Sequence, residues 1–136
     1  EQALTDAGVP PRGALFEPAD FTVAGGFRAA KQLLGRPGER PTAIFAASDE
    51  MAIGAILAAR DLGKRVPEDL SIIGIDGHEL GEFFGLTTVS QFPEMQGRLA
   101  AEEILRELSD SSECAEPRQL PFELVVRRST SVPAER

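Results

Sequence analysis

Cysteine occurs once in the 136-residue sequence, at Cys114, so no disulfide can close within the chain, and a reducing cytoplasm suits it. Histidine also occurs once, and His78 has no second histidine or cysteine beside it to build a metal cluster. No GxSxG elbow, P-loop or GxGxxG turn is present, which removes the common routes to acyl transfer, nucleotide hydrolysis and dinucleotide chemistry. Basic residues number 14 against 22 acidic ones, a formal net charge of -8, so this segment lacks the basic face that gripping a nucleic-acid backbone requires. No apolar run approaches the ~20 residues needed to span a bilayer, and the first residues carry no basic and apolar signal pattern.

What remains is a chain 42% hydrophobic and 26% charged, large enough for one core but not comfortably for two. Its organising stretch is Pro41 to Gly77, PTAIFAASDEMAIGAILAARDLGKRVPEDLSIIGIDG. Thr42 to Ala46 and Leu70 to Ile75 read as strands, and Asp49 to Leu62, closed by Gly63, reads as a helix between them. The unit is βαβ. Strands apolar at nearly every position are expected to be parallel and covered on both faces. Ligands in such sheets gather at the carboxyl ends of strands, which here means Ser48, Asp49 and Asp76.

Around this unit, Ala7-Gly8 looks like a helix stop without a visible helix start, so the beginning of the lobe is expected to be missing. Ala14 to Phe16 suits a short strand. A helix should start near Thr22, with Val23, Phe27, Ala30 and Leu34 on one stripe and its end at Gly35. Leu80, Phe83 and Phe84 fall in a short helical turn or loop and should be covered. Leu86 to Val89 and Leu120 to Val126 read as strands, Glu94 to Leu108 as a helix with Ala101, Ile104, Leu105 and Leu108 on one side, 109–117 as a mobile acidic loop, and RRSTSVPAER as a polar tail. The 51–62 helix carries Met51, Ala55, Ala58 and Leu62 on one face and Ile53, Ile56 and Leu57 on the other, so the second face needs either a neighbouring helix or a second copy of the protein.

Asp76 is the residue with the strongest claim to a site, since a carboxylate behind SIIGI must be hydrogen-bonded either by a nearby turn or helix or by a ligand's hydroxyl or N-H groups. Asp49 suits a helix cap, and Ser48 suits either role. Phe21 is either core or an aromatic that stacks on a sugar or base at the crevice edge. His78 reads as a loop or interface residue, and Cys114 as a bystander.

The segments SDEMAIGA, RVPEDLSIIG and LTTV, followed by LVVRRSTSVP, together resemble the effector-binding region of lactose-repressor (LacI/GalR) transcriptional regulators over nearly the whole chain. The resemblance implies an α/β fold, a partial parallel-sheet, three-layer lobe of a periplasmic-binding-protein-like (type I) domain. Residues 1–90 and 118–136 would belong mainly to the carboxyl-terminal lobe, and 91–117 would form the crossing and a helix packed toward the amino-terminal lobe. The family's helix-turn-helix, the first strand of this lobe and most of the amino-terminal lobe are absent. A sheet without that strand should leave unpaired edges on both neighbours, so the chain is expected to be truncated or completed by another molecule.

By motif position, Phe21 resembles the stacking aromatic, Ser48 and Asp49 the polar pair before the helix, Asp76 the principal ligand carboxylate, and Gln91 a residue at the crossing. Ser48 stands where asparagine is usual, and Gly77 replaces a second acidic residue. The resemblance also implies a homodimer contact through Ile53, Ile56, Leu57, Phe27, Phe83 and Phe84. The implied function is sensing of a sugar or related small metabolite by a cytoplasmic regulator, with operator DNA bound only through the absent helix-turn-helix. No catalysis, cofactor, metal or membrane is expected. The competing readings are an extracytoplasmic sugar-binding protein of a transporter, and a small α/β enzyme using Asp76 and His78.

Overall fold

A computed structural model of the chain describes residues 2–8, 15–38, 40–109 and 119–132. The elements are α1 (Gln2–Asp6), α2 (Val23–Gly35), β1 (Ala43–Phe45), α3 (Asp49–Asp61), β2 (Ser71–Asp76), α4 (Leu80–Phe84), β3 (Thr87–Ser90), α5 (Pro93–Ser109) and β4 (Glu123–Val125). The strands form one sheet in the order β1-β2-β3-β4, parallel except for the β3–β4 pair. It is a partial α/β lobe with a mixed, mostly parallel sheet, as the resemblance implies.

Local chemistry accounts for the element starts. Thr22 accepts the Gly25 N–H at 2.9 Å and caps α2, and Ser48 accepts the Met51 N–H at 3.2 Å and caps α3. Asp49 is therefore the first residue of the helix, not its cap. Behind α3, the Asp69 carboxylate accepts from the backbone and guanidinium of Arg65, and these hydrogen bonds hold it well below the usual carboxylate range.

The core lies where α2 and α3 cover one face of the sheet. Ala30, Leu34, Ala52, Ile53, Ile56, Leu70, Ile72 and Leu86 are all buried there. The helices approach so closely that a Cβ on Gly54 would drive into the Val23 carbonyl oxygen. This approach decides which partner the second face of α3 uses. Ile53 and Ile56, assigned from the sequence to a dimer contact, are 2% and 1% exposed and packed in the chain's own core. Leu57, Phe27 and Phe84 are half-buried against the same core, whereas Phe83 is 80% exposed instead of covered.

The other face of the sheet is not covered among the described residues. Phe45 is 64% exposed and Ile73 and Ile75 are half-buried, contrary to the expectation of cover on both faces. The strand expected at Ala14 to Phe16 is absent from its described part, where Leu15 and Phe16 are exposed, and β1 stands at the edge of the sheet. Helix α5 buries no residue, and Ile104, Leu105 and Leu108 on its apolar side are all more than half exposed. The 109–117 loop, Cys114 included, lies outside the described residues beyond Ser109.

The carboxyl-terminal segment does more than trail as a polar tail. Ser129 is 2% exposed, donates to the Ile72 carbonyl at 2.5 Å and accepts the Thr87 N–H at 2.8 Å, while its own carbonyl accepts the Ile72 N–H. One hydroxyl thus satisfies backbone groups where β2 and β3 begin.

Candidate functional site

A cleft of about 450 Å³ opens at the carboxyl ends of β1 and β2. Phe21, Ser48, Asp76 and Gln91 all line it, so four of the five expected ligand residues come together. Each arrives by a different route. Phe21 precedes the α2 cap and is 66% exposed, Ser48 is the buried cap of α3, Asp76 ends β2, and Gln91 follows β3.

The Asp76 carboxylate is held from two sides. Its Oδ1 accepts from Gln91 Nε2 at 3.1 Å, and its Oδ2 accepts the Asp49 N–H at 3.4 Å, at the amino-terminal end of α3. Both readings of Asp76 therefore meet in one side chain: it receives the first N–H of a helix and it also lines the cleft. Its φ of +127° is territory that side-chain-bearing residues rarely enter, and Phe92, at the start of the crossing, has φ +51°. Such backbone strain is concentrated at sites where geometry matters. Gln96 Nε2 donates to the Gln91 carbonyl at 2.6 Å, tying the crossing segment to α5.

Asp49 is the exception. It is fully buried and absent from the cleft wall. Its Oδ1 accepts from Thr88 Oγ1 at 2.6 Å, and its Oδ2 accepts the His78 N–H at 2.7 Å. Gly74 on β2 leaves the space for this carboxylate, since a Cβ there would collide with Asp49 Oδ1. Asp49 is thus a positioning residue that fastens α3 to β3 and to the loop after β2, and its full burial keeps its oxygens from a ligand.

That loop brings in His78, expected from the sequence to be a loop or interface residue. His78 lines the cleft, as do Glu50, Pro93 and Gln96. No role was expected of Glu50, whose one signal is its place beside the Ser48-Asp49 pair, and His78 is aimed by its backbone bond to Asp49, 29 residues away. No group of three or more acidic, histidine or cysteine side chains suited to a metal occurs among the described residues.

Parallel strands with a polar and aromatic cleft at their carboxyl ends define one lobe of an α/β binding domain. The periplasmic binding protein-like domain family matches residues 1–130. The chain is 38% identical over 132 residues to the HTH-type transcriptional repressor PurR of Erwinia tasmaniensis, covering 96% of this chain and 38% of that protein. Among solved structures, a complex of the transcriptional regulator CelR with cellobiose superposes with a TM-score of 0.86 at 33% identity, over 94% of this chain and 39% of that one. A LacI-family regulator from Enterococcus faecium with bound ribose gives 0.84 at 30% identity, over 98% and 49%. A dimeric Lac repressor gives 0.87 at 31% identity, over 98% and 48%. The chain belongs to the periplasmic binding protein-like family, as an effector-binding region of the LacI/GalR type. It spans about 38% of the length of the repressors it matches.

Proposed function

We propose that this chain is the effector-sensing portion of a cytoplasmic LacI/GalR-type transcriptional regulator, and that Asp76, Phe21, Ser48 and Gln91 bind a sugar or related small metabolite. The observation that carries the reading is the Asp76 carboxylate, set in a left-handed backbone at a strand end and facing a cleft with an exposed aromatic at its edge. Hydroxyl pairs donate to the carboxylate while the apolar side of a ring lies on Phe21. The relatives are transcriptional repressors, which disfavours the transporter reading and supports a role without catalysis.

In the whole protein, the amino-terminal lobe covers the exposed side of α5, and residues 91–117 cross to it. Closure of the two lobes on the effector shifts the population between states of different operator affinity. The test is to select the operator from genomic fragments with the full-length protein and add the small-molecule fraction of a cell extract. We expect operator affinity to change about tenfold or more, within the usual range of coupling between sites. An operator complex indifferent to every fraction would sink the sensing role.

We further propose that the homodimer contact runs through α4. Phe83 is 80% exposed beside Phe84, whose ring lies 5.9 Å from the Arg60 guanidinium. Acidic Glu68 lines this surface with basic Arg60 and Arg128, an arrangement that a two-fold axis makes self-complementary. Phe83→Glu in the full-length protein is expected to sediment as a monomer at concentrations where the wild type is a dimer. An unchanged sedimentation coefficient would move the interface elsewhere.

A further inference from the structure

We propose that Glu50 and His78 are further effector contacts, and that they make this half of the cleft select neutral or amine-bearing ligands over anionic ones. The proposal rests on the effector-sensing reading above and goes beyond it to the charge class of the ligand. Both side chains line the cleft with Asp76. Neither was assigned to the ligand by the sequence, and each has unused hydrogen-bonding capacity.

Glu50 lies in the first turn of α3, where the helix dipole favours its negative charge. Its carboxylate has no hydrogen bond or ion pair among the described residues, although Asp49 before it is fully engaged. His78 is fixed twice. Its backbone N–H donates to buried Asp49, and its Nδ1 accepts the Leu80 N–H at 3.1 Å. An accepting Nδ1 places the ring proton on Nε2, so the free nitrogen is a donor.

The described lining therefore offers two carboxylates, one imidazole donor, a hydroxyl and amides, and no lysine or arginine. An amine on the ligand finds an unpaired acceptor in Glu50, and a ring or hydroxyl oxygen finds a donor in His78. A phosphate or carboxylate meets two like charges, in a cleft whose closure would remove the water that screens them.

The experiment uses the full-length protein with D-glucose, D-galactose and D-mannose, each beside its 2-amino congener and its 6-phosphate. Thermal shift identifies the members that bind, and calorimetry measures them. We expect one or more neutral or amino sugars to raise Tm, with the matching phosphate ester bound at least about tenfold more weakly. Glu50→Gln should lower the amine preference and narrow the phosphate penalty severalfold, with at most a slight drop in the Tm of the ligand-free protein from the lost helix-dipole interaction. His78→Phe, which keeps a ring but loses both the Nε2 donor and the Nδ1 acceptor of the Leu80 N–H, should weaken neutral and amino members alike.

A phosphate ester binding as tightly as its parent, or ratios untouched by Glu50→Gln, would overturn the selection while leaving effector sensing intact. Absence of any shift across the set would overturn it too. The operator assay with cell extract judges effector sensing separately, because it presumes no ligand class.

Discussion

Asp49→Ala is expected to destabilise the domain by about 3 kcal/mol or more, because it strips the acceptor from a buried hydroxyl and a part-buried backbone N–H. The carboxylate is fully buried, and its two oxygens serve Thr88 Oγ1 at 2.6 Å and the His78 N–H at 2.7 Å. Alanine leaves both donors without an acceptor and opens a void beside Gly74, where the backbone has already given up a side chain to make room. Each unsatisfied buried donor costs about 1–3 kcal/mol, and the void adds to that. Asp49→Asn is the informative comparison. It fills the space but turns an NH2 toward one of two donors, so its loss should be smaller yet still above about 1 kcal/mol. Urea unfolding of the full-length protein reads both. A loss for Asp49→Ala within the ±0.5 kcal/mol typical of surface substitutions would show that the buried network does not hold the loop.

Asp49 also marks the boundary of what the sequence makes legible. Local signals placed α2, α3 and β2 within a residue or two, because Thr22 and Ser48 cap their own helices and the apolar run of β2 ends in Asp76-Gly77. The role of Asp49 depends on Thr88, 39 residues away, and no local pattern announces that bond. Ser129 escaped notice for the same reason, since its partners are Ile72 and Thr87.

Ile53 and Ile56 illustrate a different gap. Helical periodicity shows that α3 has two apolar faces, but whether α2 or a second copy covers the second face depends on how closely the helices approach. Glycines set that distance: Gly54 meets the Val23 carbonyl, and the resulting crossing draws both isoleucines into the core. Only Phe83 of the six expected contact residues stays largely exposed. The candidate site was easier to read, because strand-end position alone nominates Ser48, Asp49 and Asp76, and of these only Asp49 lies outside the cleft wall. His78 needed the fold of the loop that carries it.

Asp76→Ala carries the second large effect, on affinity. A carboxylate accepting from ligand hydroxyls makes charge-assisted hydrogen bonds, and their loss should cost about 2 kcal/mol or more, roughly a thirtyfold weakening. The backbone complicates the choice of variant, since φ at this residue is +127° and alanine tolerates that region poorly. Asp76→Asn keeps a side chain of similar shape that Gln91 and the Asp49 N–H can still meet, while removing the charge. The direct measurement is calorimetry of the full-length wild type and both variants, each shown to be folded, with the ligand that changes operator affinity. Asp76→Ala is expected to weaken binding about thirtyfold or more, with Asp76→Asn between it and the wild type. Unchanged affinity in both variants would remove Asp76 from the site and contradict the account.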